Sequence, residues 1–282
     1  MTSGFSALAA ALVLGPRINH TKEAHTPANV PFVVLGTALL WFGWYVLLPF
    51  PCVCSHEIPF VFFSRFGFNA GSAISAASEP SAGIAFANTH IATAAASLTW
   101  LGLDSLFNKP TTVGACSGAV VGLVVITPAA GFIWPHYAII VRWMFLCCKN
   151  KRSPPIQVGG VGCAVVYFFG FLKSKFLNKY FDDTLDVFTC HGLGGATGAF
   201  LTGLFASKEA NPSGNDGAFY GNGIQLGYQL VAIVVTAIVS ISFTVVIMYL
   251  LKVKMWIFLY FIYLTKNQIS TLSASVSRPR RR

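Results

Sequence analysis

Two carboxylates and a histidine stand inside an apolar, glycine-studded run. Residues 183–198 read DTLDVFTCHGLGGATG, with Asp183 and Asp186 just ahead of His191 and no further charge until Lys208. An uncharged apolar stretch of about 20 residues is the length of a membrane-spanning helix. An ionisable residue inside such a helix is expensive and marks a pathway or site by default. His191 is therefore read as a pore residue, against the alternative of a core histidine in a soluble fold. Asp183 and Asp186 admit two readings: helix N-terminal caps favoured by the macrodipole, or carboxylates with a part in transport. His90, in NTHIATAAAS, lies on a small-residue face and reads as a packing or hydrogen-bonding residue rather than a proton carrier.

Other chemistries find no support. Cys52 with Cys54 and Cys147 with Cys148 are too close together for a zinc quartet, and no Cys/His set has metal-ligand spacing. His56-Glu57 lacks the second histidine of a metalloprotease helix. Gly192, Gly194 and Gly195 miss the dinucleotide-binding spacing. No enzyme, metal or cofactor is expected.

The elements that must position His191 follow from composition. The 282 residues are 55% hydrophobic and only 10% charged, with a mean hydropathy of +0.65, whereas soluble domains carry about 25% charged residues. An all-α polytopic membrane protein in a lipid bilayer is expected. The net charge of +10 does not indicate nucleic acid, because the basic residues fall in short runs between apolar segments: 17–22, 149–152, 173–179, 252–254 and 278–282. Counting spans at 30–73, 82–103, 113–133, 136–172, 185–206 and 224–251 puts the basic loops 16–29 and 173–182 and the tail on one side. That side is the cytoplasm by the positive-inside rule. The start, MTSGFSALAAALVLG, lacks a positive n-region and reads as the end of a membrane helix rather than a signal peptide. Gly114, Gly118 and Gly122, and Gly194 with Gly198, have the spacing that lets helix backbones approach closely.

TSGFSALAAALVLGPR at 2–17, HTPANVPFVVLGTALLWFGW at 25–44, FGFNAGSA at 66–73, GACSGAVVGLVVITPAAGFI at 114–133 and DTLDVFTCHGLGG at 183–195 together resemble the ammonium transporter (ammonium/Rhesus channel) family. The resemblance implies an 11-helix fold built of two inverted repeats plus a long last helix, assembled as a homotrimer with a hydrophobic pore in each subunit. It covers roughly the second half of that fold, about six to eight membrane helices. Phe68 matches a gate phenylalanine, with ordinary apolar packing as its alternative. Ser72 matches the hydroxyl that contacts ammonium at the outer vestibule, and His191 matches the second member of the pore histidine pair. Asp183 and Asp186 match the acidic positions before it, and Asn69 lies in the gate motif. The implied function is passage of ammonium or ammonia across a membrane, expected to be the plasma membrane, with a cytoplasmic C-terminus. The first pore histidine, the first gate phenylalanine, the vestibule tryptophan and a buried aspartate would precede Met1. The alternative expectation is therefore a fragment or subunit that packs in a membrane oligomer without transporting.

Two stretches break the family pattern, 45–65 and 142–158. Removing each would restore one continuous span, and the flanking residues can be coded with splice-compatible bases. Retained introns and a start placed too late are expected. Residues 1–265 then form a partial transmembrane domain and 266–282 a basic cytoplasmic tail. The aromatic run MWIFLYFIYL before that tail reads as a mis-spliced end or as an interfacial helix with a basic anchor.

Overall fold

A computed structural model describes residues 1–18, 27–45, 68–71, 81–135, 155–177 and 182–276. Their regular elements are helices: α1 Thr2–Leu14, α2 Val30–Tyr45, α3 Phe68–Gly71, α4 Ser81–Phe107, α5 Thr112–Ile126, α6 Pro155–Leu172, α7 Gly194–Phe205 and α8 Gly223–Val276. Two π-helical turns, Lys173–Leu177 and Phe188–Leu193, extend α6 and precede α7 respectively. Most of the segment 45–65 and of 142–158 lies outside the described residues. The exception at the second is instructive: α6 begins at Pro155, and Val158 is fully buried in the core. The last four residues of 142–158 thus belong to α6. Proline at the first position of α6 starts a helix without losing a hydrogen bond.

The core sits around α5, which packs against α2, α4, α6, α7 and the second π turn. It starts cleanly because Thr111 Oγ1 accepts the Gly114 N–H at 2.9 Å. Its glycine ladder meets α4 with almost no clearance. A Cβ on Gly118 would stand 2.6 Å from Trp100 Cβ, and one on Gly122 would stand 2.7 Å from both Ala96 Cβ and Thr93 Cα. Ala85, Ala92 and Ala96 supply the matching small face of α4. Across the bundle, Gly159 of α6 lies against the Ala92 backbone and Gly198 of α7 against the Val125 backbone. Gly194, expected to make the same close step, is only in ordinary contact with Val124 at 3.5 Å.

Hydroxyls on these helices satisfy themselves locally. Thr89, Thr93, Thr99 and Thr202 each donate to a carbonyl four residues back, which lets polar residues sit in an apolar bundle without exposing an unpaired donor. Asn88 closes the end of α5 by donating to Ala130 O and Ile133 O, both at 2.7 Å.

The last helix is longer than expected. Gly223–Tyr260 is a 38-residue apolar segment, about 57 Å at 1.5 Å per residue. α8 continues without a break through Lys252 and Lys254 to Val276. It lies along α1 and α7, and most of its surface faces outward.

Gly122→Ala should lower the melting temperature of the detergent-solubilised protein, with a loss of about 1–3 kcal/mol from forced backbone separation. Gly83→Ala, which would meet nothing within 4 Å, should leave it unchanged. Equal melting of the two variants would show that α5 does not need its close approach.

Candidate pore site

His191 occupies the fourth position of the π turn Phe188–Leu193. A π turn carries one extra residue per turn and is frequent at functional positions. Here the wide turn is pinned from above by the Gly194 N–H, which donates to His191 O and Thr189 O. From the side it is pinned by α1. Gly4 packs so tightly that any side chain there would collide with the Gly192 backbone. Phe5 lies edge-on to Phe188, with ring centroids 5.8 Å apart. The imidazole is half-buried where α1, α5, α6 and α7 converge on the turn.

Below His191 the acidic residues separate into two roles. Asp183, with its side chain 6% exposed, accepts the Val187 N–H at 2.9 Å and the Phe188 N–H at 3.0 Å. It caps the chain as it enters the π turn. Asp186 does not cap. Its backbone is left-handed, with φ 52°, a conformation Asp tolerates better than most residues. Its carbonyl accepts the Cys190 N–H at 2.8 Å, and its carboxylate turns to Lys173. The expectation that Asp186 serves as cap or buried carboxylate is thereby corrected: burial and capping both fall to Asp183, and the Asp186 side chain is 55% exposed.

Lys173 is the residue the sequence did not reveal. It reads as the first cation of a cytoplasmic loop, yet it is 8% exposed. Its Nζ donates to Asp183 O at 2.8 Å, Asp183 Oδ2 at 3.3 Å and Asp186 Oδ1 at 2.5 Å. A second cation holds the other flank. Arg17 Nε and Nη2 engage the two oxygens of Asp182 at 2.7 and 3.1 Å, and Nη2 also reaches Thr184 Oγ1. The one legible signal was a Lys at the junction of an apolar run and ten residues ahead of an acidic triplet.

At the other predicted position, Phe68 opens α3 with 55% of its surface exposed. Its ring centroid lies 5.4 Å from that of Trp44. Trp44 Nε1 donates to Thr127 Oγ1 at 3.1 Å, which in turn donates to Leu123 O at 2.7 Å, so the Phe68–Trp44 pair is tied to the end of α5. Asn69 is buried and donates to Thr89 Oγ1 at 2.9 Å. Ser72 lies outside the described residues. His90 stacks near Trp41, with centroids 5.4 Å apart. α3 packs on α2 and α4 and does not touch the π turn; α5, which reaches α2 on one side and the π turn on the other, connects them. The fold therefore does not bring Phe68 and His191 together; it sets them apart along a shared helix.

An all-α bundle with spanning-length apolar helix, close glycine packing and an imidazole set in its interior defines a polytopic integral membrane protein. The chain belongs to the Ammonium Transporter Family, whose family model matches residues 1–47, 59–144 and 151–260. The unmatched residues 48–58 and 145–150 fall inside 45–65 and 142–158. It is similar to an ammonium transporter of Bacillus subtilis, 39% identical over 88% of this chain and 50% of that one. Ammonium transporter 1 of Schizosaccharomyces pombe is 34% identical over 89% of this chain and 44% of that one. The crystal structure of Candida albicans Mep2 superposes with a TM-score of 0.66 at 34% identity, covering 87% of this chain and 47% of that one. The chain thus spans about half the length of the curated relatives it matches.

Asp183→Ala removes the cap and one side of the Lys173 contact, and should cost about 1–3 kcal/mol. Asp186→Asn, which suits the left-handed backbone and changes only a half-exposed carboxylate, should cost under about 1 kcal/mol. Thermal melts of the two variants in one detergent should rank in that order; the reverse order would reassign the cap.

Proposed function

We propose that this chain forms part of a pathway for ammonium or ammonia through a membrane, with His191 facing the permeating species. The observation that carries this reading is the placement of His191: an ionisable ring in a π turn that four helices and two ion clusters hold in one position. Burial of such a ring in a membrane bundle is costly, and an ionisable residue kept there despite the cost marks a pathway by default. Phe68, stacked with Trp44, is the gate that excludes water and hydrated ions, as hydrophobic constrictions do. Ser72 supplies the hydroxyl at the outer mouth, and Asn69 fixes the gate helix to α4. An aromatic face attracts a cation by about 0.5–2 kcal/mol, more when desolvated. The names of the relatives support ammonium as the cargo. No catalytic step is assigned.

Residues 1–265 form the transmembrane domain and 266–282 a basic cytoplasmic tail. The protein assembles as a homotrimer in the plasma membrane, with its C-terminus in the cytoplasm. Support comes from the charge of the loops and from the family.

Fused behind the portion of the Bacillus subtilis relative that it does not cover, the chain should mediate saturable uptake of a methylammonium tracer in cells lacking their own ammonium transporters. His191→Ala in that fusion should cut uptake or change selectivity while leaving the amount in the membrane the same. Uptake that ignores the substitution would remove His191 from the pathway.

The second reading, that residues 1–282 by themselves pack in a membrane oligomer without transporting, is favoured by the 55% exposure of Phe68. Expressed by themselves these residues should give no tracer uptake above background. Saturable uptake by this stretch would retire the second reading.

A further inference from the structure

We propose that Lys173 is a positioning residue for His191, fixing the register of the π turn by clasping both carboxylates beneath it. The inference rests on the transport reading for its functional meaning and on geometry alone for the clasp.

The path from cation to imidazole is short and continuous. The ammonium has three N–H donors, and Asp183 O, Asp183 Oδ2 and Asp186 Oδ1 lie within its reach. Asp183 passes the constraint on through its carboxylate, which holds the Val187 and Phe188 N–H groups. Asp186 passes it on through its backbone, whose carbonyl holds the Cys190 N–H, the residue before His191. Lys173 also opens the first π turn, Lys173–Leu177, so one side chain spans the junction of two wide turns. A π turn has poorer intrinsic stability than an α turn and needs outside support to persist. Asp186 likewise needs support, since its left-handed backbone is disfavoured for any residue with a Cβ. The charge pairing at Lys173 provides both. Arg17 holds a different pair of side chains, Asp182 and Thr184.

A merely structural lysine would, when removed, loosen the whole bundle. A positioning lysine loosens the turn. The two differ in how His191 behaves relative to His90, which stands on α4 beside Trp41. The full 282-residue chain in lipid nanodiscs is treated with diethylpyrocarbonate, and the modification rates of His191 and His90 are read by peptide mass spectrometry. Lys173→Ala should raise the rate at His191 by about tenfold, as expected for loss of hydrogen bonds to charged groups, with His90 unchanged. n-Propylammonium, which replaces the atoms lost beyond Cβ, should return the His191 rate to that of the parent chain in a saturable way. n-Propanol and an equal concentration of sodium chloride should not.

An unchanged His191 rate in Lys173→Ala overturns the proposal, as does an equal rise at both histidines or rescue by propanol as effective as by the ammonium. If Lys173→Ala does not purify, Asp186→Asn decides. It keeps the Lys173–Asp183 contact, so a smaller, several-fold rise at His191 without a rise at His90 supports the clasp, and no rise overturns it. None of these readouts needs transport. Absence of methylammonium uptake by the fusion described above would overturn the transport reading and leave the clasp standing.

Discussion

How closely other backbones can approach α5 decides where everything else lies. With no hydrophobic effect to drive helix association in lipid, contact area and short-range dispersion must do it, and both demand small residues at the crossings. α5 carries glycine at 114, 118 and 122; α6 answers with Gly162 against the Val125 side chain, and α7 with Gly198 against the Val125 carbonyl. Each crossing fixes a helix to within a side chain's thickness. The same economy recurs at Gly4 and Gly192, where α1 meets the π turn. His191 is held by that contact, and the glycine crossings come before any polar chemistry.

Once helices are this close, a buried polar group left without a partner is very expensive. The bundle meets this in three ways. Threonines donate back along their own helix. Asn88 and Trp44 bridge to the ends of neighbouring helices. Lys208, Glu209 and Asp216 stand in the loop after α7, and charge pairs hold one end of the bundle, where Lys173 and Arg17 clasp Asp183 with Asp186, and Asp182, respectively. A related arrangement at that end joins Tyr167 of α6 to Asp104 of α4 at 3.0 Å and Asn108 to the Tyr167 hydroxyl at 3.1 Å. That end is therefore a lattice of directed polar contacts, while the region of α3 relies on aromatic rings and carbonyls.

The sequence alone determined the class and most of the ingredients. Few charges, basic residues gathered in loops, and spanning apolar runs follow directly from the cost of putting charge in lipid, so they are legible without coordinates. GxxxG spacing foretold the tight crossings at Gly118 and Gly122, because helix periodicity puts those residues on one face. It failed at Gly194, since spacing says which face a glycine lies on and nothing about what comes to meet it. His191 stood out because an ionisable residue in an apolar run is conspicuous by its chemistry alone.

Tertiary structure decided the rest, and for one reason: partners distant in sequence are chosen by packing. Whether Asp183 or Asp186 caps the turn depends on a single left-handed residue, which two aspartates three apart cannot reveal. Lys173 looked like any loop cation because its burial is created by helices that begin and end far from it. The pairing of Phe68 with Trp44 depends on where α3 comes to rest against α2, and the joining of Arg17 to Asp182 spans 165 residues. Composition sets what kind of solvent the chain inhabits; only the folded bundle, by bringing remote charges within 3 Å, sets which of its few polar residues hold the others in place.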